Sequence, residues 1–241
     1  MPFLNKELEI LYKDDYLIAI NKPSGLLVHK SMIDKNEIYF AMKMIRDQIE
    51  QWVYPVHRLD KPTSGVLLFA LDSHTAKLLS QQFQEHTIEK TYIAVVRGYI
   101  EKEGFIDYPL SVKLDKIADK NSSQNKEPQE AQTVFKRLDI TEVDFAVGRY
   151  EKSRYSLVEL KPKTGRKHQL RRHMKHLSHH IVGDTKYGRG EHNKMVRKEF
   201  DIQRLLLHAT SLEFTHPYSL KRIKIEAKKD EIFTRLFSTH H

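Results

Sequence analysis

The sequence predicts an α+β fold, a single domain with helices flanking a mixed, mostly antiparallel central sheet. Three observations carry that expectation. Short runs rich in β-branched and aromatic residues recur along the 241 residues, bounded by Pro, Gly, Asn and Asp. Only a few segments show the three- and four-residue apolar spacing of a helix packed on a core. The two kinds are mixed irregularly, and no repeat or Gly/Ser linker divides the chain.

The elements follow in order. Residues 7–21, ELEILYKDDYLIAIN, read as a strand, a polar Lys-Asp-Asp turn and a second strand. KPSGLLVHKS continues as a Pro-Gly loop into an extended segment. Over 37–52, Ile38, Met42, Ile45, Ile49 and Trp52 recur at three and four, which predicts a helix. Pro62, Thr63, Ser64 and Gly65 make a turn, and 66–71 is an apolar run of strand length, buried on both faces. Asp72 or Ser73 caps a helix to about residue 86, with Ala76, Leu79 and Phe83 on one face. KTYIAVVRGYI reads as a strand. From 111 to 132 the chain turns polar and loses its apolar period, the mark of a surface excursion. TVFKRLDI and YSLVELKP are strands. A short helix over 166–177 turns Leu170, Met174 and Leu177 inward. The loop VGDTKYGRG, a further helix and the strands LLLHATSLEF and RIKIEA complete the chain.

Composition bounds what such a chain can do. Hydrophobic residues at 39% and aromatics at 10% suit a globular protein rather than a disordered one. No apolar stretch reaches bilayer-spanning length, so no membrane partner is expected, and MPFLNKELEI has no signal-peptide core. With no cysteine there is neither a disulfide framework nor a cysteine nucleophile, and a cytoplasmic address fits. Forty-one Lys+Arg against 32 Asp+Glu give a net charge of +9. A basic chain gains free energy near a polyanion by releasing condensed counterions. The charge is concentrated: KPKTGRKHQLRRHMK, 161–175, holds seven Lys or Arg and no acid.

Four constellations could carry chemistry. Asp60 lies between Arg58 and Lys61 in HRLDKPTSG, at the end of a loop feeding the buried strand. It reads either as a turn carboxylate bonding to nearby backbone or as an ionised group held on a stiff support. Arg171 follows the inward-facing Leu170; an arginine reaching inward there needs an anionic partner, since an unpaired buried charge is costly. Arg166, Arg172 and Lys175 fall on the exposed face of the same helix. Tyr92 shares a strand face with Ala94 and Val96, either as a core residue or as a platform for an unstacked base. The histidines at 168, 173, 176, 179 and 180 invite a zinc reading. His176 and His180 are four apart, but no HExxH pattern, cysteine or nearby acid completes a ligand set, so no metal is expected.

These residues together resemble a known family. HRLDKPTSG is similar to the signature of the RluA-type pseudouridine synthases, in which the aspartate of HRLD is catalytic. NKPSGLLVH, EKTYIAVVRG, KPKTGRKHQLRRH, IVGDTKYG and LLLHATSLEFTHP resemble family blocks in the same order, over nearly the whole chain. VHKSMIDKNE, LDKIADK and VGRYEKSRYSLVELKPKTGRKHQLRRH most resemble the bacterial members that modify tRNA at position sixty-five, where the T stem meets the acceptor stem.

The resemblance implies a single pseudouridine synthase catalytic domain over 1–241. Because the first strand begins so early, no small N-terminal RNA-binding domain is expected, and the catalytic domain, helped by the 111–132 excursion, must grip the RNA. The resemblance makes Asp60 the nucleophile. Tyr92 would stack on the uracil and help move its proton, and Arg171 would pair with Asp60. Arg58 would evict the target uridine, with Lys61, Arg166, Lys167, His168, Arg172 and Lys175 on the RNA. The implied reaction detaches uracil, rotates it and rejoins it through carbon 5. It involves no net redox change, so no cofactor is expected. The implied partner is tRNA, with ribosomal RNA as the alternative; the protein is expected to be a monomer without an obligate protein partner. Two other classes stand beside this one. A catalytically idle RNA-binding protein could use the same basic face. A glycoside hydrolase would need a second acid flanking the bond, and the sequence offers one persuasive acid.

Overall fold

The structure, a computed structural model, describes residues 7–30, 37–112 and 127–238. In chain order its elements are β1 (Ile10–Lys13), β2 (Leu17–Lys22), α1 (Ala41–Ile49), β3 (Tyr54–Pro55), β4 (Ser64–Ala70) and α2 (Ser73–Gln84). There follow β5 (Glu89–Arg97), β6 (Glu103–Asp107), β7 (Gln132–Val143), β8 (Ser153–Pro162), α3 (Gln169–His176), α4 (Gly190–Phe200), β9 (Leu207–Thr215) and β10 (Arg222–Glu226). The fold is α+β. Its contacts divide it into two units: one of Met1–Glu89, Ser111–Glu127 and Thr210–Ala227, and one of Lys90–Leu110, Pro128–Ala209 and Lys228–His241.

In the first unit β1, β2 and β4 pair antiparallel in that order, β3 adds to β4, and β10 pairs antiparallel with the end of β9. The Lys-Asp-Asp turn forms as expected because the Asp14 carboxylate accepts from the Tyr16 and Leu17 N–H groups at 2.8 and 2.9 Å. Every residue of β4 is buried, as the unbroken apolar run required. Val66, Leu68 and Ala70 pack with Leu17, Ala19, Leu79, Leu212 and Phe214. Each such large side chain is worth about 1.5–3 kcal/mol when fully buried. Asp72 caps α2, accepting from the Thr75 N–H at 2.8 Å.

In the second unit β5, β8, β7 and β6 pair antiparallel in that order. Tyr92, Ala94 and Val96 of β5 share one face with Val158 and Leu160, covered by Leu170 and Met174 of α3. Ile93 and Val95 face the other way, onto Val196 and Phe200 of α4. The period-two strands and the apolar stripes of α3 and α4 thus fix a helix on each face of this sheet.

Three expectations need correction. The first helix is Ala41–Ile49 rather than 37–52, and Ile38 and Trp52 are each 56% exposed. Phe40 stays extended as its N-cap and Glu50 turns left-handed at φ 53, so the apolar period overran both caps. The 166–177 helix begins only at Gln169, because His168 is held at φ 56. β6 was not anticipated. Only Ile106 of this strand is buried, and its glycine hid the pattern. A Cβ at Gly104 would run into the Phe135 ring on β7, so a larger residue there would have to displace that ring. Most of the expected polar excursion at 111–132, residues 113–126, lies outside the described residues.

Candidate active site

Asp60 ends the loop that enters β4, and one buried amine organises that loop. Lys22, the last residue of β2, sits opposite Gly65 in the pairing of β2 with β4. Its side chain is fully buried. Nζ donates to the carbonyls of Pro23 at 3.0 Å, Leu26 at 2.8 Å and Lys61 at 3.2 Å. Two loops, NKPSGL and RLDKP, are thereby tied to one ammonium. Further bonds close the junction: the Gly25 N–H donates to the Lys61 carbonyl at 2.8 Å, and the Ser24 hydroxyl to the Pro62 carbonyl at 2.7 Å. The Asp60 carbonyl accepts from the Thr63 N–H at 3.0 Å, closing the turn before the strand. Asp60 itself is half-buried.

The neighbours of Asp60 divide by task. His57 is structural here: its Nε2 lies 3.0 Å from the Leu68 N–H it accepts from, and its ring stacks on Phe83. Arg58 is exposed. The His29 imidazole is held below its ordinary range, first by burial and then by the Arg58 charge, so a cation here opposes a second one. Lys61 is engaged with Glu37 at 2.7 Å.

In the second unit Arg171 is 5% exposed and forms a two-pronged pair with Asp184, Nε to Oδ2 at 2.7 Å and Nη2 to Oδ1 at 2.9 Å. The inward-reaching arginine expected from the sequence therefore has a buried acid. Asp184 stands in IVGDTKYG, which the sequence marks only as a loop. Its Oδ1 also accepts from the Lys186 and Tyr187 N–H groups, both at 2.9 Å. Burial pushes this carboxyl up, but the Arg171 bonds and charge and the two N–H donors outweigh it, so the net shift is downward. Asn193 of α4 ties the start of the same loop twice, accepting from the Gly183 N–H and donating to the Asp184 carbonyl. Gly183 has φ +77, and a Cβ there would strike the Arg204 carbonyl, so only glycine serves. The Arg171 guanidinium lies 5.1 Å from the centre of the Tyr187 ring, whose hydroxyl meets His168 Nδ1 at 2.9 Å.

Gln169 explains the Q of HQLRR. Its amide donates to the Gln132 carbonyl and the Thr133 hydroxyl, and its oxygen accepts from the Thr164 hydroxyl and the Arg166 N–H. Start of helix and start of β7 are locked together by one side chain. Tyr92 is half-buried against the face that α3 covers, so core packing and an accessible edge coexist. Arg166 donates to the Glu130 carbonyl; Lys167 and Lys175 are exposed and Arg172 half-buried. The histidines do not converge. His173 is buried between Thr133 and the Tyr108 carbonyl, His176 stacks on Tyr108 at 3.7 Å, and His180 bonds the Tyr187 carbonyl. Among the described residues no group of three or more His, Cys, Asp or Glu side chains is placed to hold a metal. Lys22 and Asp184 are the residues that sequence reasoning missed. A lysine ending an apolar strand before Pro-Ser-Gly was the available signal for the first.

The blocks in which these side chains fall match a known family. The model of the RNA pseudouridylate synthase family matches residues 16–176. The chain belongs to that family. Curated relatives agree. A Vibrio parahaemolyticus protein named tRNA pseudouridine synthase C is 56% identical over 96% of this chain and 94% of its own length. A Haemophilus ducreyi protein of the same name is 58% identical over 96% and 95%. Among solved structures, human RNA pseudouridylate synthase domain containing 1 superposes with a TM-score of 0.69 at 26% identity, covering 92% of this chain and 84% of that one. As a pseudouridine synthase the chain is an isomerase. Among the described residues no helix is long and apolar enough to cross a membrane.

Proposed function

We propose that this synthase converts a uridine of tRNA, at position sixty-five, into pseudouridine, with Asp60 as the nucleophile. The observation that carries the reading is the mounting of Asp60: a half-buried carboxylate on a turn fixed through the Lys22 ammonium, at the mouth of a fully buried strand. A rigid mount matters because the acid must meet a nucleotide swung out of its helix, and extrusion costs a few kcal/mol that leave little for reordering a loop. In the isomerisation the N1–C1′ bond breaks and a C5–C1′ bond forms. The C5 proton is lost and N1 regains one, so electrons balance without a cofactor.

Tyr92 stacks on the flipped uracil. Arg171, its guanidinium held by the Asp184 carboxylate, completes the catalytic set with Asp60 and Tyr92. Arg58 occupies the gap left in the stack. Lys61, Arg166, Lys167, His168, Arg172 and Lys175 contact phosphates. The domain works alone on its RNA in the cytoplasm.

The test is to incubate purified protein with unmodified tRNA and ribosomal RNA transcripts and map pseudouridine nucleotide by nucleotide. New pseudouridine at tRNA position sixty-five alone is expected. Modification confined to ribosomal RNA overturns the substrate, released free uracil points to hydrolysis, and RNA binding without either product overturns the activity.

A further inference from the structure

A second concentration of cations lies in the other direction along β5 from Tyr92. Arg97 ends that strand, five residues on and so roughly 16 Å away. There it lines a cleft of about 660 Å³ together with Arg149, Tyr150, Arg154, His179 and His192. None of the residues assigned to the Asp60 chemistry or to its phosphates lines it.

The cleft is built around one ordered guanidinium. Arg97 Nε donates to His192 Nε2 at 3.0 Å, which requires a neutral imidazole with a free lone pair on that nitrogen. The other ring nitrogen then carries the proton and donates to the Tyr155 hydroxyl at 2.9 Å. Burial, with the Arg97 and Arg189 charges added, holds His192 down to about 4, so it stays neutral in the cell. Tyr155 is fully buried and anchors the chain of bonds in the core. Arg97 is thus oriented by a neutral partner, and among the described residues no acid pairs with it. Its two Nη groups keep their donors.

The opposite wall is the tip of the β7–β8 hairpin. Gly148 takes φ +64 there, and Val147 and Tyr150 exchange backbone bonds. Arg149 lies over the Tyr150 ring at 5.1 Å and donates to its hydroxyl. Across the mouth Arg154 lies over Tyr99 at 5.3 Å. Lys152 and Arg154 are already balanced by Glu142 and Asp144. Glu151 also lines the cleft, and among the described residues Arg97 and Arg149 are the lining arginines with no ion pair, with aromatic rings beside them. Paired guanidinium forks suit a phosphodiester, and the ring faces suit the sugar or base beside it.

We propose that this cleft is a second RNA-backbone site, in which Arg97 and Arg149 clamp a phosphodiester of the substrate away from the target uridine. The inference rests on the RNA substrate proposed above. Two anchors separated along β5 fix the angle at which a stem is presented, which one basic face cannot do.

The experiment compares wild type with Arg97→Gln and Arg149→Gln in pseudouridine formation and in direct tRNA binding across a salt series. Each variant is expected to raise KM and Kd roughly 5- to 10-fold, the loss of one charge-assisted contact. The slope of log Kd against log salt should fall by about one for each phosphate contact removed. Arg149 sits at an exposed hairpin tip, so its variant reports even if Arg97→Gln disturbs folding through His192. A wild-type KM, Kd and salt slope in Arg149→Gln overturns the clamp. If wild type forms no pseudouridine, the activity fails, and the binding measurements still decide the cleft.

Discussion

Replacing Lys22 by methionine probes how the Asp60 loop is held. Methionine fills much of the same volume but donates nothing. Of the three carbonyls that Nζ serves, that of Lys61 keeps the Gly25 N–H at 2.8 Å, so the Pro23 and Leu26 carbonyls bear most of the loss. The Leu26 bond is buried and the Pro23 bond only partly so. Leaving a buried acceptor unsatisfied costs about 1–3 kcal/mol, borne in full at Leu26 and in smaller part at Pro23, and lessened by no longer desolvating an ammonium. Domains of this kind have about 5–15 kcal/mol in hand, so the variant should fold but with a much lower urea midpoint. The damage should be local first. Amide exchange should accelerate at Gly25 and Thr63, whose N–H groups bond within the tied loops, well before it does in β5 or β8. Pseudouridine formation should fall more than tRNA binding, because the loop positions an acid rather than a phosphate contact. A midpoint unchanged to within the equivalent of about 1 kcal/mol, with unchanged exchange at those two amides, would refute the reasoning.

Asp184→Asn leaves the Arg171 charge buried without its carboxylate and should destabilise the protein by about 3–5 kcal/mol at neutral pH, read by denaturant titration. The acid limb of stability tests the same pair. The folded Asp184 carboxyl lies below its ordinary value, so between the two values the unfolded chain takes up the proton and the folded chain does not. Its stabilisation is full above the ordinary carboxylate range and fades as pH falls through the folded value. Below about pH 4 the wild type should therefore lose stability more steeply than the asparagine variant.

The fold was legible wherever a period was long or a turn had its own chemistry. The unbroken run of β4, the Asp72 cap and the alternating faces of β5 all stand where local rules put them. The rules failed at edges. The first helix stops at Phe40 and Glu50 because backbone dihedrals, not apolar spacing, end it. β6 carries one buried side chain and a glycine, too little for a pattern to register. The candidate site was legible as residue types but not as partners. Arg171 declared that it needed an anion; that Asp184 supplies one depends on a loop folded back by Asn193 and Gly183. Lys22 read as the first residue of a Pro-Gly loop, whereas it ends β2. Its role emerges only when two loops distant in sequence present their carbonyls to one nitrogen.

The most direct measurement is pseudouridine yield with Asp60→Asn, taken beside tRNA affinity on the same preparation. The amide keeps the shape and the loop but is a poor nucleophile. The expected result is affinity within about twofold of wild type and no pseudouridine above background, since removing a nucleophile costs about four orders of magnitude or more. Turnover near the wild-type rate in that variant would contradict the assignment of the chemistry to Asp60.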